Sequence, residues 1–354
     1  RYRSLGNLGH SVRLVLRYLA DRLRFSRGTR LVMGNALVAR LFHSLRKNGV
    51  PILFGTAIED LVTEDGRVTG AVVVAGSGPI RIRARNGVVL ATGGFARNEK
   101  YRTAFMPSPP PAHSMAVAEN IGDGLEIGER IGAMIEADRA GSGGLWTPVS
   151  ETRRKNGSTG LYPHILLDRA KPGLIAVNRA GRRFVNEGVS YHDFVVAMFR
   201  SNEVVPTIPA HLICDGAFVA KYGIGIIHPG TRNLARFERS GYASCANRID
   251  ELARKLEIEP LALAETVARH NQFAVAGSDP DFGKGDTELN RFNGDRDHRP
   301  NPCLGPIATP PFVAVAIWPA ELACSAGFAT TVDAQVIDRS DAPIDGLYAC
   351  GNDM

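Results

Sequence analysis

The chain has 354 residues, 44% hydrophobic and 22% charged, a length that supports two packed cores and a composition that excludes collagenous or disordered chains. Its formal charge is +6 at pH 7, yet the arginine excess sits in the first 30 residues as Arg3, Arg13, Arg17, Arg22, Arg24, Arg27 and Arg30. No recognition motif accompanies that charge, so a nucleic-acid partner is not expected.

In chain order, Leu8, Val12, Val15, Leu16, Leu19 and Leu23 recur at spacings of three and four and predict an amphipathic helix opposed by arginines. Such a helix either docks on an anionic membrane or lies on its own domain with a solvated basic face. Asn35–Lys47 predicts a second helix that stops at Gly49 after a basic turn. Pro51–Ala57 reads as a short strand. Arg67–Ala75 and Ile80–Ala84, separated by Gly-Ser-Gly-Pro, read as a hairpin. Gly87–Thr92 is continuously apolar, as in a parallel strand buried on both faces.

From 97 to 305 the text changes to loops and short helices, with helical periodicity clearest over Gly124–Ile135 and Asp250–Ala276. Strand-like text returns over Phe312–Trp318, Ala334–Ile337 and Gly346–Ala349. The expected class is α/β: a partial Rossmann-like domain over 1–96 and 306–354, interrupted by an inserted α+β capping domain over 97–305. The widely separated Cys214, Cys245, Cys303, Cys324 and Cys350 never form C-x-x-C, so neither a metal site nor a disulfide framework is expected. No apolar run approaches the roughly 18 residues of a membrane span and nothing resembles a signal peptide, which leads to the expectation of a soluble, cytoplasmic protein.

Ala91-Thr92-Gly93-Gly94-Phe95 alone is a strand followed by a glycine turn, where bare backbone lets a flat ring approach. It gains force from Gly34-Asn35-Ala36-Leu37, Asp60–Val74, Gly122-Asp123-Gly124, Gly173–Asn178, Gly181–Glu187 and the closing Gly346–Asn352, all in fixed order. With these motifs the chain resembles the flavoproteins that include 3-ketosteroid dehydrogenases and soluble fumarate reductases. The resemblance implies FAD on the first domain and a small-molecule substrate between flavin and cap, and it leaves the electron acceptor open. It implies cofactor contacts at Asn35, Ala36, Leu37, Ala91, Thr92, Gly93, Gly94, Asp123, Gly124, Gly351 and Asn352. The family's G-x-G-x-x-G turn, which cradles the FAD pyrophosphate on backbone amides, is absent from the sequence, as is a glycine-rich segment after the closing Gly-Asn. The expectation is a fragment of a flavoprotein, with an inactive remnant as the contrasting reading.

Oxidation of a carbon–carbon bond beside a carbonyl needs a hydride acceptor, a base for the neighbouring proton and donors for the enolate. The resemblance places an active-site tyrosine at Tyr191, whose other reading is an aromatic anchor. His192 is a proton relay or a helix-start residue, Arg169 a proton donor or a surface charge, and Asp123 a helix cap that also faces the cofactor. A fumarate-type substrate requires arginines to clamp carboxylates, from among Arg169, Arg182 and Arg183. Where the ketosteroid enzymes carry a tyrosine and a proline–glycine–acid turn, this chain has Val313 and Pro319-Ala320-Glu321.

Overall fold

The computed structural model describes residues 4–76, 78–137, 142–154 and 156–354; Arg3 and Ser77 of the sequence reading lie outside them. The chain divides into two compact units, Arg1–Ala57 with Ala75–Gly78, and Ile58–Val74 with Pro79–Met354.

In the first unit, Ser4 caps the helix Leu5–Arg24 by accepting the Asn7 amide on its hydroxyl at 3.2 Å. The chain turns back where the Asp21 carboxylate takes both the Thr29 amide and hydroxyl at 2.8 Å. A second helix follows over Met33–Lys47, and Gly49 leaves it at φ +70°. Pro51–Ala57 does not form the expected strand: Phe54 and Gly55 make a turn, and extended structure begins only at Ala57. No helix among the described residues is long and apolar enough to cross a membrane.

The hairpin forms as the strands Arg67–Ala75 and Gly78–Arg83, preceded in the same sheet by Ala57–Glu64, and all but the ends of these strands belong to the second unit. Its main body is a seven-stranded sheet with Phe312–Cys324 as the central strand, antiparallel to Gly144–Arg153 on one side and to Ala210–Cys214 on the other. Leu174–Val177 continues the sheet beyond Ala210–Cys214. Alternate residues feed two cores. Leu174, Ala176, Leu212, Val313 and Val315 pack with Phe194, Val195 and Met198 of the helix Tyr191–Asn202. Ile175, Val177, Ile213, Phe312 and Ala314 pack with Leu252, Leu263 and Val267. Period-two side chains on a sheet covered on both faces explain why these strands read as unbroken apolar text.

Several elements differ from expectation. The strand Phe312–Cys324 belongs to the sheet of residues 144–214, so a boundary at 305 cuts it from its own partners. Pro319-Ala320-Glu321 is strand interior, with Ala320 opposite Thr147, and Val313 is core opposite Cys214. Periodicity over 250–276 hides two helices, Ile249–Lys255 and Pro260–Ala276, broken where Glu257 takes φ +56° and Pro260 starts the second. Asp123–Arg130 ends five residues early because Gly132, at φ +92°, turns the chain into the bridge at Ala133. The apolar run at 87–92 yields only the strand Val88–Leu90, in a three-stranded sheet where Val89 remains 58% exposed. All five cysteines are free thiols.

Four buried charges stitch the main body together. The Glu187 carboxylate accepts the Ala176 amide at 3.0 Å and the Arg183 guanidinium at 2.8 and 2.9 Å, and Lys284 Nζ lies 3.2 Å away. Arg183 also grips Asp279 at 2.8 and 3.1 Å, and Lys284 donates to the Leu174 carbonyl at 2.6 Å. Burial by itself raises the Glu187 carboxyl, but Arg183 and Lys284 outweigh it and hold the group at about 2, below its ordinary 4.5. The folded value is depressed, so this stabilisation is complete above the ordinary value and drains away as pH falls towards the folded one. Glu187→Ala is expected to destabilise the fold by about 3–5 kcal/mol, because it strands a buried lysine. Chemical denaturation at neutral pH measures this, and the gap between variant and parent should narrow in acid.

Candidate functional site

Two parallel strands, Val88–Leu90 and Pro343–Ala349, run in register from Leu347 opposite Val88 to Ala349 opposite Leu90 and end together. Ligands of parallel sheets sit beyond such carboxyl ends. Here both strands run into glycine turns, Thr92-Gly93-Gly94 and Gly351-Asn352-Asp353. Gly93 and Gly94 take φ +100° and +79°, and a Cβ on Gly94 would stand 2.9 Å from the Asn352 carbonyl oxygen. Only glycine fits both demands.

The turns are locked by Asp353, which sequence reasoning missed. Its fully buried carboxylate accepts the Thr92 amide, the Thr92 hydroxyl at 2.9 Å and the Gly94 amide at 2.8 Å. Asn352 adds its side-chain amide to the Gly93 carbonyl at 3.3 Å. The helix Asp123–Arg130 joins from below: the Gly122 amide donates to the Gly94 carbonyl at 3.1 Å, and a Cβ on Gly124 would lie 2.4 Å from Thr92 Oγ1. Its cap is Gly122, in left-handed conformation, whereas Asp123 is the first helical residue and accepts the Gly124 amide at 3.1 Å. Ala91, Thr92, Gly93, Gly94, Asp123, Gly124, Gly351 and Asn352 are thus gathered at one sheet edge, where Ala91 and Gly351 are exposed. Asn35, Ala36 and Leu37 lie in the first turn of Met33–Lys47, in the other unit.

The second cluster is built around the start of Tyr191–Asn202. Ser190 caps this helix, accepting the Asp193 amide at 3.1 Å and donating to the Asp193 carboxylate at 2.8 Å. Tyr191 is half-buried, and its hydroxyl has no partner among the described residues. His192 Nδ1 accepts the Trp146 amide at 3.3 Å, so a neutral ring carries its proton on Nε2.

Arg169 is no surface charge. It is 3% exposed and spends all its N–H groups on main-chain carbonyls: those of His164 and Ile165 on one loop, those of Glu187 and Val189 on the other. Its guanidinium also lies 4.9 Å from the centre of the Phe194 ring. Burial lowers it to about 10, which leaves it charged at neutral pH. The staple holds Leu166 and Leu167, 51% and 70% exposed, on the loop fastened to the segment that leads into Tyr191. Arg183 is consumed by Glu187 and Asp279, and Arg182 pairs with Glu265 at the surface at 2.7 Å. A separate cavity of about 870 Å³, lined by Pro107, Pro111, Val196, Phe199, Arg200 and Trp318, also touches Pro319 of the Pro319-Ala320-Glu321 segment but none of the expected catalytic or cofactor residues.

The model of the FAD binding domain family matches residues 1–354. The chain is 37% identical over 340 residues to 4-oxocyclohex-2-ene-1-carboxylate 5-dehydrogenase of Sinomonas cyclohexanicum, covering 95% of this chain and 57% of that protein. It is 35% identical to 3-oxosteroid 1-dehydrogenase of Mycolicibacterium smegmatis, covering 99% and 63%. The crystal structure of 3-ketosteroid delta1-dehydrogenase from Sterolibacterium denitrificans, in complex with 1,4-androstadiene-3,17-dione, superposes with a TM-score of 0.88 at 32% identity. That match covers 99% of this chain and 63% of the other. The chain therefore spans roughly three fifths of the length of these relatives. For the glycine turns, Asp353→Asn is expected to lose about 1–3 kcal/mol by presenting a donor to two backbone amides. Urea unfolding of variant and parent would reveal it.

Proposed function

The chain belongs to the FAD binding domain family, and from that membership we propose that it forms part of a flavin-dependent dehydrogenase acting on a ring ketone of ketosteroid type. The residues present suit the flavin. The positive-φ glycines, the close packing of Gly124 on Thr92 and the exposed Gly351 make a backbone ledge that a Cβ would fill. Thr92–Gly94, Asp123-Gly124 and Gly351-Asn352 would hold it, while the contacts proposed for Asn35, Ala36 and Leu37 rest on the sequence resemblance alone. In this reading the three-stranded sheet that ends on those turns is the Rossmann-like part. The seven-stranded sheet is the capping domain, extended to Cys324.

When bound, FAD supplies the acceptor for a hydride from one carbon of the substrate. Tyr191, acting as its phenolate, is the group that takes the proton from the neighbouring carbon, beside the carbonyl, as the double bond forms, and leaves as the neutral phenol. Leu166 and Leu167 offer apolar wall to the rings, and Arg169 acts as the staple that keeps them near Tyr191 instead of as a proton donor. His192, its Nδ1 committed to Trp146, fixes the first turn of the helix.

The observation that carries this reading is a tyrosine hydroxyl with no partner among the described residues, following a segment that Arg169 staples to a loop with two exposed leucines. The arginines weigh against a dicarboxylate substrate, since Arg169, Arg182 and Arg183 are each engaged within the protein. Dye-linked turnover of the FAD-loaded protein with a 3-ketosteroid, a 4-oxocyclohexanecarboxylate and fumarate separates the options. The ketosteroid is expected to be oxidised and fumarate to be left unreduced; fumarate reduction without ketone oxidation would overturn the proposal. Tyr191→Phe is expected to lower turnover by about 10²–10⁴ while flavin absorbance is retained.

A further inference from the structure

Outside the groups just described, one buried chain of polar side chains has catalytic-looking geometry. His164 Nδ1 lies 2.6 Å from Asp168 Oδ2, His164 Nε2 lies 2.8 Å from Ser150 Oγ, and Ser150 Oγ lies 2.9 Å from the Tyr242 hydroxyl. A serine–histidine–aspartate row suggests a nucleophile, but Ser150 is 1% exposed and both sides of its oxygen are occupied. No acyl group can reach it.

The directions of the hydrogen bonds show what the row does instead. An ionised carboxylate only accepts, so the proton is on His164 Nδ1, and in the neutral ring Nε2 accepts from Ser150. Tyr242 then donates to Ser150, and its own oxygen accepts the Ile226 amide at 3.1 Å. Asp168 further accepts the Gly225 amide at 3.2 Å and, on its other oxygen, the Arg169 amide at 2.9 Å. A Cβ on Gly225 would stand 1.8 Å from the Tyr242 oxygen and 3.2 Å from His164 Cε1, so the loop lies pressed on the row.

We infer that His164 is a positioning residue: through Asp168 it fixes the main chain at Arg169, whose guanidinium sets the Glu187 and Val189 carbonyls and with them the start of the Tyr191 helix. This rests on the reading of Tyr191 as the proton-transfer group. The essential contact is the Nδ1 donor to Asp168, not the link to Ser150 and Tyr242. An asparagine at 164 keeps a donor near the Nδ1 position, whereas a glutamine places its amide near Nε2 and a leucine supplies neither.

The test is the rate of flavin reduction by the ketone substrate in the FAD-loaded protein, measured anaerobically by stopped flow. His164→Leu is expected to be roughly ten- to hundredfold slow, the size of a small misplacement of a reacting group. His164→Asn should recover most of that loss and His164→Gln should not. In a Tyr191→Phe background, His164→Leu should cost nothing more, because its effect passes through Tyr191. If His164→Leu fails to bind flavin, the asparagine and glutamine variants decide the matter, and equal rates for the two overturn the inference. It also falls if the losses at 164 and 191 multiply, since a merely structural defect slows both backgrounds alike. Should Tyr191→Phe itself react at the parent rate, the Tyr191 assignment fails and the positioning role goes with it; a slow Tyr191→Phe with an indifferent His164 sinks only the latter.

Discussion

Glu187 is the point on which the main body hangs. Its carboxylate holds the Ala176 amide of a core strand while Arg183 and Lys284 neutralise it, and its own carbonyl accepts from Arg169. One residue therefore fixes the sheet by its side chain and the loop leading into Tyr191 by its main chain. A buried carboxylate is costly to desolvate, and two cations together with a backbone donor are what make it tolerable here. The arrangement also explains why two of the three charges in the Gly181–Glu187 motif, Arg183 and Glu187, are buried while Arg182 stays at the surface. Arg183 bridges two buried carboxylates, Glu187 and Asp279, and offsets part of the cost of burying both.

The glycine turns obey a different constraint, set by backbone geometry rather than charge. Two parallel strands that stop in register must each reverse or leave the sheet, and the space between their exits is narrow. Glycines at 93, 94 and 124 allow close approach and Gly351 a left-handed turn at φ +70°, but glycine by itself gives no rigidity. Asp353 supplies it, since a single carboxylate satisfies amides on both sides of Gly93. A ledge of this kind presents main chain to a flat ligand without side chains in the way.

Much of this was legible in the sequence, and the failures have physical causes. The first two helices, the hairpin and the closing strand follow local periodicity and turn chemistry, so they stand near where the text places them. The motif residues at 91–94, 122–124 and 351–352 meet as ordered motifs should. Asp353 gave no signal because its partners lie some 260 residues away, and the row of Ser150, His164 and Asp168 likewise has no local pattern. The break at Glu257 was hidden because apolar spacing continues through it while the backbone does not. Arg169 read as a surface charge because composition cannot show that four carbonyls converge on one guanidinium. The long strand Phe312–Cys324 was cut short by Pro319, which the sheet accepts at a position opposite Pro148.

Those carbonyls give Arg169 an electrostatic character unlike that of Arg183. Neutral acceptors satisfy its hydrogen-bonding capacity without cancelling its charge, and burial to about 10 leaves that charge in place at neutral pH. Asp168, bound to the same residue's amide, offsets part of it, while Glu187 is already matched by Arg183 and Lys284. The remaining positive field lies beside the N-terminus of the Tyr191 helix, whose first-turn amides carry partial positive charge of the same sign, offset in part by the Ser190 cap and the Asp193 carboxylate. Both terms favour negative charge at that end of the helix. A staple built of neutral acceptors therefore leaves at that end of the helix a positive field that an arginine–carboxylate pair at the same place would cancel.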